Sequence, residues 1–123
     1  MKTYELVERI ICNFSFSPTQ DQYDALTVFS RFLADRRQEA VMVMRGSAGT
    51  GKTSLAAAIV YTLHSLGQRL VLMAPTGRAA KVFSLSSGMQ ASTIHRAIYR
   101  EKTFTGIGGS FDLNFNVHRN TLF

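Results

Sequence analysis

The sequence predicts an α/β fold in which a mostly parallel sheet is flanked by helices. Two apolar runs, residues 40–44 and 69–74, are typical of strands that are covered on both faces. Between them, a glycine-rich loop leads into a helix-forming run that we expect to end near Leu66, where Gly67 provides a left-handed cap. Strand, helix and strand in this order form the unit that opens a doubly wound parallel sheet.

Size and composition indicate a small globular protein. With 123 residues the chain is expected to form one domain at most, and its hydrophobic content of 46% is sufficient for a core. No run approaches the ~20 apolar residues of a membrane span, and the N-terminal segment lacks the apolar region of a signal peptide. The single cysteine, Cys12, excludes an internal disulfide and is expected to be a small core side chain. These features predict a reducing, cytoplasmic setting.

Two amphipathic helices are predicted before the first strand. Residues 3–14 place apolar side chains at helical spacing, namely Tyr4, Val7, Ile10, Ile11 and Phe14. The second helix is expected to have Ser17 as its N-cap and Gln20 three residues later, and to end near Arg36. Its predicted buried side consists of Tyr23, Leu26, Phe29 and Leu33. By itself, a first-turn glutamine such as Gln22 ordinarily caps the helix or faces solvent.

Residues 46–53 satisfy the pattern G-x-x-x-x-G-K-[ST] at every fixed position, between a predicted strand and a predicted helix. Glycines allow turns that are closed to side chains, so successive N–H groups can point at one phosphate chain. Lys52 would neutralise the β- and γ-phosphates, and the hydroxyl of Thr53 would coordinate Mg²⁺. The alternative is a glycine-rich turn before an ordinary helix. We predict a nucleotide phosphate site formed by Gly46, Ser47, Ala48, Gly49, Thr50, Gly51, Lys52 and Thr53.

A second polar segment, residues 74–81, directly follows the strand at 69–74. Ligands of open parallel sheets bind beyond the carboxyl ends of the strands, and Thr76 and Arg78 would stand at that edge. A hydroxyl, backbone N–H groups and a helix N-terminus suit a nucleic-acid phosphate. A helix cap with a solvated arginine explains the pattern equally well. The helix is expected to run to about Ser87 and to end at Gly88.

The last third of the chain has weaker signals. Residues 91–100 predict a short capped helix with Ile94 and Ile98 inward, and His95 on it would hydrogen-bond to core or solvent. Residues 102–110 are a polar connection. The strict alternation of residues 111–117 predicts a half-exposed strand. Residues 118–120 are expected to form a turn, and residues 121–123 to begin another strand.

The positive charge is concentrated after the glycine-rich loop. Residues 1–66 carry seven Lys/Arg against six Asp/Glu, a net charge of +1, whereas residues 67–123 carry seven against two, a net charge of +5. A nucleotide needs only one or two cations, so the excess favours a longer polyanion such as nucleic acid. An ordinarily basic surface is the alternative.

Four blocks occur in one order, at residues 17–25, 46–53, 74–81 and 92–96. Together they resemble the first RecA-like domain of superfamily 1 DNA helicases of the RecD/Dda type. The loop alone fits many nucleoside triphosphatases, whereas A-P-T-G-R-A-A-K followed by S-T-I-H-R is more specific. The resemblance covers residues 17–96 and implies an α/β, RecA-like P-loop NTPase fold.

The resemblance also implies ligands and roles. Gln22, followed by Ala25 three residues later, matches the glutamine that reads the adenine, with Gln20 as the alternative. Lys52 matches the catalytic lysine. The implied cofactors are ATP and Mg²⁺. The implied activity is 5′-to-3′ movement along single-stranded DNA by two RecA-like domains that ATP closes on each other. The DNA-contacting residues that the resemblance implies are Thr76, Arg78, Thr93 and His95.

The family pattern is incomplete at the end of the sequence. A buried strand leading into an Asp-Glu pair should follow, but Phe123 is the last residue. We therefore expect residues 1–123 to be the N-terminal part of one P-loop NTPase domain, truncated before the Walker B strand. Such a piece should hydrolyse little ATP and should self-associate through open sheet edges. The alternative is a non-motor module that binds nucleotide or single strands without hydrolysis. Continuation of the source gene into an apolar strand ending in Asp-Glu would separate the two.

Overall fold

The computed structural model describes residues 2–37, 39–47, 49, 51–101, 111–113 and 120–123. They form two compact units, Met1–Thr62 and Leu63–Phe123. Helices combined with short parallel strands confirm the predicted α/β class. None of the described helices is long and apolar enough to cross a membrane. The elements are α1 (Thr3–Cys12), α2 (Gln20–Ala34), α3 (Lys52–Ser65), β1 (Arg69–Leu70), β2 (Leu72–Ala74), α4 (Gly77–Ser87), β3 (Ala91–Thr93), α5 (Ile94–Ile98), β4 (Tyr99–Glu101), β5 (Phe111–Leu113) and β6 (Thr121–Leu122).

Helices α1 and α2 pack against each other in the first unit. Helix α1 buries Leu6, Val7 and Ile10, and α2 buries Leu26 and Phe29. Burying a side chain of this size contributes about 1.5–3 kcal/mol relative to leaving it in water. The amphipathic patterns of the sequence specify this helix pair, but Tyr4, which was expected on the buried side of α1, is 58% exposed.

The carboxyl end of α1 differs from the prediction. Cys12 is exposed, so its expected place in the core is wrong. Each helical residue is turned by about 100°, and Cys12 therefore lies about 200° around the helix from the buried Ile10. The next residue, Asn13, donates a hydrogen bond from Nδ2 to Oγ1 of Thr62 at 2.9 Å. This bond links the end of α1 to α3.

Helix α2 begins two residues later than predicted. Its N-cap is Thr19 rather than Ser17, because Thr19 and Gln22 form a reciprocal capping box. The Thr19 Oγ1 accepts from the Gln22 N–H at 3.2 Å, and the Gln22 Oε1 accepts from the Thr19 N–H at 2.9 Å. The predicted inward face is confirmed for Leu26 and Phe29, whereas Tyr23 is exposed and Leu33 is half-buried.

The helix also ends earlier, at Ala34 rather than near Arg36. Asp35 has left the helical conformation, with φ −72° and ψ 122°. Its carboxylate accepts hydrogen bonds from the backbone N–H and the guanidinium of Arg37, the latter at distances down to 2.6 Å. The side-chain hydrogen bond from Arg37 lowers the pKa of Asp35 to about 2. This local pair competes with a further helical turn.

The predicted strand at residues 40–44 is wrong, because the structure has no regular secondary structure in this segment. None of the described strands pairs with it, and a strand requires a hydrogen-bonded neighbour. Val41 and Val43 are 82% and 73% exposed, the reverse of the burial that the apolar run indicates. The sequence therefore has strand propensity here without a partner strand among the described residues.

Helix α3 follows the glycine-rich loop and ends close to the predicted position. Gly67 has φ 80° and donates to the His64 carbonyl at 3.1 Å, and Gln68 donates to the Leu63 carbonyl at 3.0 Å. These two bonds form the Schellman motif, which favours glycine in the left-handed conformation. The predicted cap at Gly67 is confirmed. Leu66 lies just after the helix and is exposed.

The described strands of the second unit form three pairs. Strands β1 and β6 are parallel with Arg69 opposite Thr121, and β2 and β3 are parallel with Ala74 opposite Thr93. Strands β4 and β5 are antiparallel. The predicted strand at residues 69–74 is thus present as β1 and β2, which have different partners. The predicted strand start at Thr121 is confirmed by β6.

The predicted helix at residues 91–100 is reduced to α5. Pairing with β2 holds residues 91–93 extended as β3, and α5 is little more than one turn. Ile94 and Ile98 are exposed, so their predicted inward orientation is wrong. Helix α4 ends at Gly88, with φ 71°, as predicted. The connection 102–110 and the predicted features within residues 114–119 lie outside the described residues.

Candidate nucleotide-binding loop and strand-edge surface

The phosphate loop, residues 46–53, contains two glycines in a conformation that other residues avoid. Gly49 has φ 81° and Gly51 has φ 80°. Positive φ is available to glycine at little cost and brings consecutive backbone N–H groups to one side of a turn. Ala48 and Thr50 lie outside the described residues. At these two positions the backbone therefore has the conformation that such an anion-binding turn uses.

Lys52 and Thr53 are located where the loop becomes helix α3. The Gly51 carbonyl accepts the first helical hydrogen bond, from the Leu55 N–H at 2.9 Å. The first N–H groups of a helix have no intrahelical acceptor and carry partial positive charge. The Lys52 Nζ donates to the carbonyl oxygen of Gly46, across the loop, and Thr53 is exposed on the first turn. A bound phosphate could replace that carbonyl as the partner of the ammonium group.

Gln22 lies beside the phosphate loop, although it is distant in sequence. A Cβ atom added at Gly51 would lie 2.8 Å from the Gln22 Nε2, closer than real Cβ contacts. The backbone conformation at position 51 therefore favours glycine, and a larger residue there would displace the end of the Gln22 side chain. Gln20 faces elsewhere and donates to Asp24 at 2.8 Å. Of the two glutamines, Gln22 is the one at the loop.

The residues of the loop fit a nucleotide phosphate with Mg²⁺. A helix N-terminus, a lysine and an exposed threonine hydroxyl match the groups that bind phosphate and its metal ion. Within the described ranges, no group of three or more His, Cys, Asp or Glu could hold a metal. An ion at Thr53 would have phosphate oxygens and water among its ligands.

Thr76 lies two residues after β2, and Thr93 is the last residue of the neighbouring strand β3. Because β2 and β3 are parallel and Ala74 is opposite Thr93, their carboxyl ends share one edge. Thr76 caps α4 by accepting from the Ala79 N–H at 3.1 Å, and Thr93 caps α5 by accepting from the Arg96 N–H at 3.1 Å. Helices α4 and α5 therefore begin at the same sheet edge.

Arg78 and His95 lie on the first turns of these helices and are exposed. The His95 ring is 4.9 Å from the Tyr99 ring at 36°, a tilted contact between exposed side chains. Lys81 and Arg96 are exposed nearby in sequence. Arg78, Lys81 and Arg96 form no ion pair with a carboxylate in the described part of the chain. We call Thr76, Arg78, Thr93 and His95 the strand-edge surface.

One residue of the candidate site was missed from the sequence. Thr19 orients Gln22, and its signal was the capping-box spacing T-x-x-Q, which competes with S-x-x-Q two residues earlier. The β3 strand was also missed, because Ala91–Thr93 is short and partly polar. Without β3, Thr93 could not be placed at the same edge as Thr76.

Taken together, the helices, the parallel strand pairs and the glycine loop define a RecA-like α/β domain of the P-loop type. A family profile described as an AAA domain matches residues 19–121, and the chain belongs to this family. The resemblance to RecD/Dda-type superfamily 1 helicases is also confirmed.

Two relatives support the resemblance to these helicases. The ATP-dependent DNA helicase dda of Enterobacteria phage T4 is 37% identical over 78 residues, which are 63% of this chain and 17% of the relative. The ATP-dependent RecD2 DNA helicase of Deinococcus radiodurans is 40% identical over 58 residues, which are 47% of this chain and 8% of the relative. The match thus spans less than a fifth of either relative. No solved structure matches the chain.

Proposed function

We propose that this chain is the ATP-binding, single-stranded-DNA-contacting portion of a cytoplasmic, ATP-dependent 5′-to-3′ DNA helicase. The observation that supports this most is the G-x-x-x-x-G-K-[ST] loop, with Gly49 and Gly51 at positive φ, leading into α3. The two relatives whose names describe ATP-dependent DNA helicases support the coupling of nucleotide to DNA.

In this proposal the phosphate loop binds the triphosphate of ATP. Its backbone N–H groups surround the phosphates, Lys52 neutralises the β- and γ-phosphates, and the Thr53 hydroxyl coordinates Mg²⁺. The metal ion supplies charge neutralisation as the γ-phosphate is transferred. Gln22 is the proposed adenine-reading residue, and its position beside Gly51 supports a place close to the nucleotide.

The strand-edge surface is the proposed contact for single-stranded DNA. Phosphates are bound by cations, hydroxyls and helix N-termini, and this edge offers all three through Arg78, Thr76 and the start of α4. Thr93 and His95 extend the contact to the neighbouring strand end. The net charge of +5 over residues 67–123 favours a polyanion on the same part of the chain.

The nucleotide half of the proposal is tested with Lys52→Ala. Loss of one charge-assisted contact to phosphate should weaken Mg²⁺–ATP binding about ten- to a hundredfold. Isothermal titration calorimetry would measure this, with Arg31→Ala as a control that removes one exposed positive charge from the same unit. Equal affinities of wild type and Lys52→Ala would contradict ATP binding through the loop.

A further inference from the structure

The carboxamide of Gln22 is bonded to the cap of α2 at one end and lies close to the phosphate loop at the other. Its Oε1 accepts the Thr19 N–H at 2.9 Å, and its Nε2 lies 2.8 Å from the place that a Cβ atom at Gly51 would occupy. The side chain thus brings the start of α2 close to the turn that precedes Lys52.

The contact with Gly51 resists displacement because of the cap. The end of a glutamine side chain ordinarily moves away from a close neighbour at little cost. Here, however, Thr19 and Gln22 bond reciprocally through side chain and backbone, which fixes the carboxamide on the helix end. Gln22 is also half-buried, which limits its other rotamers. The position of the amide group therefore defines one wall of the Gly51 turn.

We propose that Gln22 is a positioning residue for the phosphate loop. Through the loop, Gln22 affects the affinity for the phosphate chain even when the ligand carries no base. This inference rests on the proposed binding of nucleotide phosphates by the loop. An effect on base recognition alone would leave the affinity for a ligand without a base unchanged. A purely structural effect through the helix cap would be restored by any side chain that caps equally well.

The test uses Mg²⁺–tripolyphosphate, a triphosphate chain without nucleoside, titrated calorimetrically into the 123-residue chain and its variants. Gln22→Ala removes the amide and the cap, and should weaken binding about five- to tenfold. Gln22→Glu retains a capping oxygen at the same position, since glutamate serves equally in this box. Its thermal midpoint should therefore stay at the wild-type value, while tripolyphosphate affinity falls at least as much as in Gln22→Ala. The loss relative to wild type should persist at high salt, which screens the repulsion between the added carboxylate and the tripolyphosphate.

Gln20→Ala is the matched control, because Gln20 is in the same helical turn and contacts only the exposed Asp24 in the described hydrogen bonds. It should bind tripolyphosphate with wild-type affinity. Wild-type affinity in Gln22→Ala, or in Gln22→Glu, would overturn the inference. Lys52→Ala distinguishes failure of this inference from failure of the proposed function. If Lys52→Ala binds weakly and Gln22→Ala binds normally, phosphate binding by the loop stands and the positioning role of Gln22 does not. Failure of the wild type to bind tripolyphosphate would overturn both.

Discussion

Gly49 and Gly51 have nearly the same backbone conformation, with φ of 81° and 80°, but different surroundings. A Cβ atom at Gly49 would meet nothing within 4 Å, whereas one at Gly51 would lie 2.8 Å from the Gln22 Nε2. Alanine at position 49 therefore tests the cost of a strained backbone alone, whereas alanine at position 51 adds the cost of displacing Gln22.

Alanine at these two glycines should destabilise the first unit to different extents. We expect Gly49→Ala to cost about 1–2 kcal/mol for the left-handed conformation alone. Gly51→Ala should cost about 1 kcal/mol more, because it displaces Gln22 and breaks the capping box. Urea denaturation would measure both. In a Gln22→Ala background the two glycine variants should lower the free energy of unfolding by the same amount. An equal loss in the wild-type background would contradict the contact between residue 51 and Gln22.

The elements that the sequence predicts well are those determined by nearby residues. The stripe of α1, the loop pattern and the glycine caps at Gly67 and Gly88 all depend on side chains within a few positions of each other. Strands depend on distant partners, so residues 40–44 were wrongly predicted and β3 was missed. The proximity of Gln22 to Gly51 is likewise a long-range packing result, which no local pattern contains.

The strand-edge surface depends on the pairing of β2 with β3, and its proposed role can be tested there. We expect weak binding of a single-stranded oligonucleotide that falls as salt rises, because phosphate contacts release counterions. The double variant Arg78→Ala, His95→Ala should bind more weakly and lower the salt-dependence slope by about 0.7 for the lost arginine contact. Fluorescence anisotropy would measure both quantities.

Arg69→Ala is the matched control for this surface. Arg69 is exposed in the same unit, but it lies in β1, whereas Thr76 follows β2. It removes the same charge, so a general effect of net charge would weaken its binding to the same extent. An unchanged affinity in the double variant would remove Arg78 and His95 from the DNA contact.

At the scale of the whole molecule, the charge distribution follows the structural division. The first unit, Met1–Thr62, has a net charge of +1, and the second, Leu63–Phe123, has +5, because residues 63–66 carry no Asp, Glu, Lys or Arg. The phosphate loop belongs to the weakly charged unit and the strand-edge surface to the strongly charged one. The proposed small ligand and the proposed polyanion are thus matched to the charge of the unit that contacts each.

The unpaired segment at residues 40–44 predicts self-association of this chain. A segment with exposed Val41 and Val43 and no partner among the described strands can pair with the same segment of a second copy. We expect the average mass in sedimentation velocity to rise with concentration. Val43→Lys should shift the chain towards monomer, since a charge on an open edge opposes pairing. The control is Val28→Lys, which adds the same charge at a valine that is 52% exposed on helix α2. A wild type that stays monomeric at every concentration, or equal effects of the two lysine variants, would exclude association through this edge.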